Sequence, residues 1–134
     1  MFTPGNLAIY IAKLYILPAM LNAQPSMREP TFFTLAALLD GPLHGYGIIK
    51  RAEELSGGRL RLTAGTLYTA LDRLRTAGLV EVVRDEVVAG RARRYYQLTG
   101  AGLDAVRAEG RRLAQAASVV ADRLGPVTTA EGTV

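Results

Sequence analysis

A heptad seam near the C-terminal end of the chain is too long for the rest of it to hide. In AGLDAVRAEGRRLAQAASVVADRLGP, Leu103, Val106, Gly110, Leu113, Ala117, Val120 and Leu124 recur three and four residues apart, the spacing of a coiled-coil face. A helix over 103–124 would be about 33 Å long. A chain of 134 residues has material for one modest core and cannot cover such a helix end to end. Part of the seam must pack back on its own domain or meet a second chain, and the small residues Gly110 and Ala117 would admit a close partner. Gly125-Pro126 stops the helix, so 101–125 is expected to be one long helix and 126–134 a flexible tail.

Upstream, the apolar spacing predicts three shorter helices. Pro30 suits a first turn, and Phe32, Phe33, Leu35, Ala36, Leu38 and Leu39 form a largely buried helix closed by Gly41-Pro42. A second helix starts near His44-Gly45 and carries Ile48, Ile49, Ala52 and Leu55 as far as Gly57-Gly58. Arg59 to Leu62 reads as a short extended segment. The third helix, TAGTLYTALDRLRTA, has Leu67, Leu71 and Leu74 on one stripe and ends at Gly78. Its opposite side is Gly65, Thr69, Asp72 and Thr76, with Tyr68 on one flank and Thr66 and Arg73 on the other. After it, LVEVVRDEVVAGRARRYYQLT carries β-branched residues, partial alternation and a turn near Ala89-Gly90. Three helices followed by a hairpin is the order of a winged helix-turn-helix. The expected fold is therefore mainly α with a small β-hairpin: a winged domain over 27–100 followed by the long helix.

Composition bounds the chemistry. There is no Cys, one His (His44) and a net charge of +4. Thiolate chemistry, Cys-rich zinc sites and Ser-His-acid triads are nearly excluded by inventory. Gly45-Tyr46-Gly47 is followed by Lys50 where a dinucleotide-binding loop needs Gly, and the P-loop spacing is absent. No enzyme, catalytic residue, metal or cofactor is expected. Ten basic and six acidic residues lie between Lys50 and Arg94, so the whole charge excess falls on the helix-hairpin region and favours an anionic partner there. The hairpin tip GRARR places Arg91, Arg93 and Arg94 together, either as a phosphate or minor-groove probe or as a solvated turn.

Residues 1–26 differ from the rest. The run from Leu7 to Leu21 is apolar apart from Lys13 and is broken by Pro18, which falls short of the ~20 residues a spanning helix needs. Gln24-Pro25-Ser26 reads as a linker before Met27. The expected assignment is an extension upstream of the natural start, or a loosely attached helix; a membrane anchor is the lesser reading.

Three blocks, GPLHGYGIIK, GTLYTALDRLRTAGLV and GRARRYYQLTGAG, in this order and spacing, resemble the PadR family of bacterial transcriptional regulators. The resemblance spans roughly Glu29 to Leu124. It implies a winged-helix DNA-binding domain, a C-terminal dimerisation helix and repression relieved by a small molecule, in the short subgroup with one C-terminal helix. The helix from Thr63 to Ala77 is similar to the family's recognition helix. Its Thr63 and Thr66 could then donate to phosphate, Gly65 admit the sugar-phosphate chain, and Tyr68, Thr69 and Arg73 reach groove edges. The alternative for Tyr68 is a ring folded over the second helix. Asp72 departs from a simple DNA-facing surface and is expected to pair with Arg61, Arg73 or Arg75. Tyr46 and Lys50 are candidate phosphate contacts, with packing the alternative for Tyr46, and His44 caps the second helix or fills its turn. Strand alternation puts Tyr95 and Tyr96 on opposite faces, one in the core with Leu98 and one exposed.

The resemblance thus implies a cytoplasmic repressor that binds double-stranded DNA as a homodimer on a near-palindromic operator. The dimer would use Leu103, Val106, Gly110, Leu113, Ala117, Val120 and Leu124, with Phe32 and Phe33 beside them. An apolar small-molecule effector is a further expected partner; with no aromatic between Leu103 and Leu124 and no Trp, Phe32 and Phe33 are the rings it could meet. Competing readings are a winged helix serving protein–protein contact and a membrane-tethered regulator using residues 7–21.

Overall fold

A computed structural model describes residues 27–125. The extension 1–26, its apolar run and linker, and the tail 126–134 lie outside the described residues.

The first helix, α1 (Glu29–Ala37), begins with Pro30 in its first turn and Glu29 at its positive end, where both are favourable. Its Thr34 is fully buried, and the hydroxyl is satisfied by donating to the Pro30 carbonyl at 2.6 Å. The helix ends earlier than Gly41, and Leu39 is exposed. Phe32 and Phe33 are half-buried, packed on the core and edge-to-face with each other at 5.2 Å.

A two-residue strand follows, β1 (Leu43–His44), paired antiparallel with the second hairpin strand. The hairpin expected from the sequence is thus part of a three-stranded sheet, with β1 at one edge and the second hairpin strand in the middle. Helix α2 (Gly45–Leu55) follows directly, with His44 at its N-cap position but making no side-chain cap. The imidazole packs instead 5.5 Å from the Tyr95 ring. Residues 59–62 form a connection without strand pairing, in which Leu62 is buried.

Helix α3 (Ala64–Thr76) buries Leu67, Leu71 and Leu74, the stripe set by its period. Strands β2 (Val80–Val88) and β3 (Arg91–Leu98) meet in a two-residue turn, Ala89 at φ 52° and Gly90 at φ 76°. Two successive positive φ values match the right-handed strand twist. An extra residue between Val82 and Arg84 shifts the register, so that Val82 faces Tyr96 and Arg84 faces Tyr95. Tyr96 is the core tyrosine, 4% exposed, while Tyr95 carries the Arg84 guanidinium 4.1 Å above its ring.

The last helix, α4 (Gly100–Leu124), is joined to the winged domain by Thr99. Its Oγ1 accepts from the Gly102 amide at 3.0 Å and donates to the Gly78 carbonyl at 2.6 Å, while its own amide donates to Leu79. Gly102, Val106 and Glu109 are buried. Val106, expected in the dimer seam, is buried and belongs to the core cluster that includes Leu35, Ile48, Leu67 and Leu71. The first part of α4 therefore belongs to the winged domain's core. Beyond Gly110, Leu113, Ala117, Val120 and Leu124 are exposed, as is Val119.

Glu109 is the buried charge of α4. Arg112 donates to both its carboxylate oxygens, at 3.0 and 2.6 Å. This pairing, with the backbone amide of Met27, holds the carboxyl below its ordinary pKa against the opposing effect of burial.

Candidate nucleic-acid interface

Thr63 opens α3 as a cap. Its Oγ1 accepts from the Thr66 amide at 3.2 Å and donates to Thr66 Oγ1 at 3.0 Å. The Thr63 hydroxyl proton, expected to reach a phosphate, is therefore engaged inside the helix turn. Thr66 accepts that proton and keeps its own free to donate outward. Gly65, Thr66, Tyr68, Thr69, Asp72, Arg73 and Thr76 are all exposed, which is the outer side given by the 3.6-residue period.

Two clefts flank this ridge. On one side, Gly65, Thr66, Thr69 and Arg73 line a cleft of about 520 Å³ whose far wall is Arg28, Pro30 and Thr31 at the start of α1. On the other, Tyr68 shares a cleft of about 340 Å³ with His44, Gly45, Tyr46 and the wing residues Arg91 to Arg94. Tyr68 is half exposed, and its phenol lies against Gly45 at the start of α2. The ring thus rests on the second helix, as the packing alternative expects, while half of the residue stays exposed. Tyr46 is 71% exposed at the mouth of the same cleft.

Lys50 is not brought to this group. It lines a separate cleft with Asp40, Leu43, Arg51 and Glu54, where two carboxylates, both paired with Arg51, balance the two cations.

The wing arginines divide. Arg94 stands opposite Asp85 and donates to it at 3.1 Å, which keeps the guanidinium more firmly protonated. Alternation puts Arg91 and Arg93 on the other strand face, and neither forms an ion pair among the described residues. Other cations are also committed: Arg51 to Asp40 and Glu54, Arg59 to Glu29, Arg61 to Glu53, Arg112 to Glu109. Arg28, Arg73, Arg91 and Arg93, which border the α3 ridge, have no such partner among the described residues. Arg28 had no sequence signal for this position, because its neighbourhood with Thr66 and Arg73 exists only once α1 crosses α3. Asp72, expected to pair with an arginine, pairs with none among the described residues.

Residues 34–108 match the transcriptional regulator PadR-like family. The chain belongs to the PadR family. A transcriptional regulator from Mycobacterium tuberculosis is 41% identical to it over 81 residues, which cover 60% of this chain and 72% of that protein. An uncharacterised 37.1 kDa transposon protein of Streptomyces fradiae is 39% identical over 87 residues, 65% of this chain but 24% of that protein's length. A PadR family transcription regulator from Clostridium difficile superposes with a TM-score of 0.58 at 26% identity, over 71% of this chain and 97% of its own. Bacillus subtilis PadR, solved in complex with operator DNA, has the same fold with a TM-score of 0.53 at 22% identity, over 81% of this chain and 53% of its own. The chain is thus a member of a family of transcriptional regulators and carries the winged-helix fold. No helix among the described residues is long and apolar enough to cross a membrane.

Proposed function

We propose that this PadR-family chain is a sequence-specific repressor that binds a near-palindromic operator as a homodimer, with α3 in the major groove and the wing on the flanking backbone. It would act in the cytoplasm and leave its operator when a small apolar effector binds. The observation that carries the reading is that Arg28, Arg73, Arg91 and Arg93 beside α3 carry no ion pair among the described residues, while Arg51, Arg59, Arg61 and Arg94 are each held by a carboxylate. Free guanidiniums around a ridge of small hydroxylated side chains suit a phosphate-flanked groove. In this reading Tyr46, Thr66, Arg91 and Arg93 hold phosphates, Gly65 lets the backbone approach, and Tyr68, Thr69 and Arg73 meet base edges. Arg28 joins them as a further cation. Thr63 contributes by fixing the helix start, and Lys50 and Arg94 contribute least.

The distal face of α4, with Leu113, Ala117, Val120 and Leu124 exposed, is the surface for the second protomer. An effector would reach the half-buried Phe32–Phe33 pair on α1, the helix packed beside α4. A protein-binding winged helix is disfavoured because the α3 ridge shows Gly, Thr, Asp and Arg where such a module would expose large apolar side chains.

Footprinting of the purified protein on the DNA upstream of its own gene tests the proposal. The expected footprint is two-fold symmetric, with half-sites about one helical turn apart. A single asymmetric half-site at saturating protein would overturn the dimeric operator.

A further inference from the structure

The solvent-facing ridge of α3 carries one carboxylate, Asp72, between Thr69 and Thr76. The sequence offered three arginines as partners for it. Arg61 is held by Glu53 at 3.1 Å. Arg73 lies on the far flank, in the cleft with α1. Arg75 lines the same depression as Asp72 without forming an ion pair. No side-chain hydrogen bond engages the Asp72 carboxylate among the described residues; Thr76 Oγ1 donates to its backbone carbonyl at 2.9 Å. A carboxylate without an ion pair among the described residues therefore sits on the outer side of α3, in a depression it shares with Arg75 and Glu81.

Such a charge is repelled by phosphate and needs a donor in the groove itself. Its neighbours on the ridge are short, so the helix can sit deep and a side chain of aspartate's length can reach the groove floor. Of the major-groove edges, guanine offers the acceptors N7 and O6, and thymine the acceptor O4; both repel a carboxylate. Adenine's amino group is flanked by the acceptor N7. Cytosine's N4 amino group donates with no adjacent acceptor on its own base.

We propose that Asp72 is a base-reading residue that selects cytosine at one position of each half-site and rejects guanine and thymine there. The inference rests on α3 being the recognition helix. A hydrogen bond to N4 offsets the repulsion only at the matching base, so the residue gives up non-specific affinity and gains discrimination.

The test is binding selection from randomised duplexes with the full chain and with Asp72→Ala and Asp72→Asn, followed by titration of the selected site and its single-base variants. Asp72 is exposed, and both substitutions leave the core untouched. The unmodified protein is expected to enrich a site with a fixed cytosine in each half. Asp72→Ala should keep the rest of that site and lose discrimination at this position, roughly ten-fold or more. Asp72→Asn should shift the preference there toward adenine, which an amide can hydrogen-bond at N6 and N7. If Asp72→Ala selects the same base at every position and merely binds all duplexes more tightly, Asp72 only repels phosphate and the proposal fails. If the unmodified protein enriches no sequence, the assignment of α3 to DNA fails first, and Asp72 with it.

Discussion

Tyr68 is seated on Gly45: a β-carbon at position 45 would lie 2.7 Å from the phenol oxygen and 3.2 Å from Cζ. The first residue of α2 is thus the floor for a side chain of α3, and the two helices and the wing converge on one tyrosine. Gly45→Ala should leave the domain folded, because the atom it meets is the tip of a side chain that can swing away. The displaced phenol would no longer project beside Arg91 and Arg93, and operator affinity should fall about ten-fold, or about 1.4 kcal/mol. Fluorescence titration checks this. In a Tyr68→Ala background the same glycine substitution should have no further effect, since the two changes act through one contact.

Gly102 presents a harder obstacle. A β-carbon there collides with the Leu79 carbonyl, a backbone group that also accepts from the Thr99 amide at 3.1 Å. Neither partner can move without opening the junction of α3, β2 and α4. Gly102→Ala should therefore cost about 3 kcal/mol, seen as a melting temperature lower by roughly 10 °C or more. Gly100→Ala, two residues earlier, meets open space and should be neutral or slightly stabilising. Equal melting temperatures for the two variants would show that the junction is soft.

These two glycines mark where the sequence was legible and where it was not. The Leu67–Leu71–Leu74 stripe, the hairpin turn and the outer ridge of α3 follow from period alone, and the structure places each as the period requires. Alternation set Tyr95 and Tyr96 on opposite faces without saying which is the core tyrosine; Tyr96 is buried, and burial pushes its hydroxyl pKa up. Strand β1 was hidden because two residues show no alternation. Glu109 was hidden because its one local signal, Arg112 three residues on, is common on solvated helices. The heptad seam reads as one surface in sequence but is two: apolar spacing records that Val106 and Val120 want burial, not whether the same chain supplies it.

Wing charge can be separated by salt dependence. Arg91 and Arg93 have no ion pair among the described residues, whereas Arg94 is tied to Asp85 at 3.1 Å. Replacing Arg91 and Arg93 together by Ala should weaken binding to every sequence and lower the slope of log K against log salt by about two units. Arg94→Ala should lower it by less. A double variant with the parent slope would identify the wing as a solvated turn.

The Glu109 carboxylate is expected to give the fold an acid limb. Its pKa is depressed from 4.5 in the folded chain, chiefly by Arg112. It therefore contributes stability that is present above pH 4.5 and is lost as the pH falls through the lower folded value. Glu109→Gln should flatten the decline of the urea midpoint over that window while lowering stability near neutrality. Should the midpoint of the variant fall with acid as steeply as the parent's, other carboxylates carry the acid limb.

The last prediction separates the two halves of the seam. Leu113 and Val120 are 41% and 47% exposed, while Val106 is 5% exposed against the core. If the distal face meets a second protomer, changing Leu113 and Val120 together to Glu buries like charges across the two-fold axis. Unpaired buried charge costs several kcal/mol, more than a small helix–helix interface offsets. That variant should sediment as a monomer with unchanged helical content and melting behaviour at low protein concentration. It should also lose operator affinity by roughly a hundred-fold or more, because one half-site no longer benefits from its tethered partner. Val106→Glu should behave differently, unfolding the winged domain itself by placing a charge in its apolar core. An intact dimer in the Leu113→Glu, Val120→Glu double variant would move the interface away from distal α4, and the Phe32–Phe33 face of α1 would be the next surface to substitute.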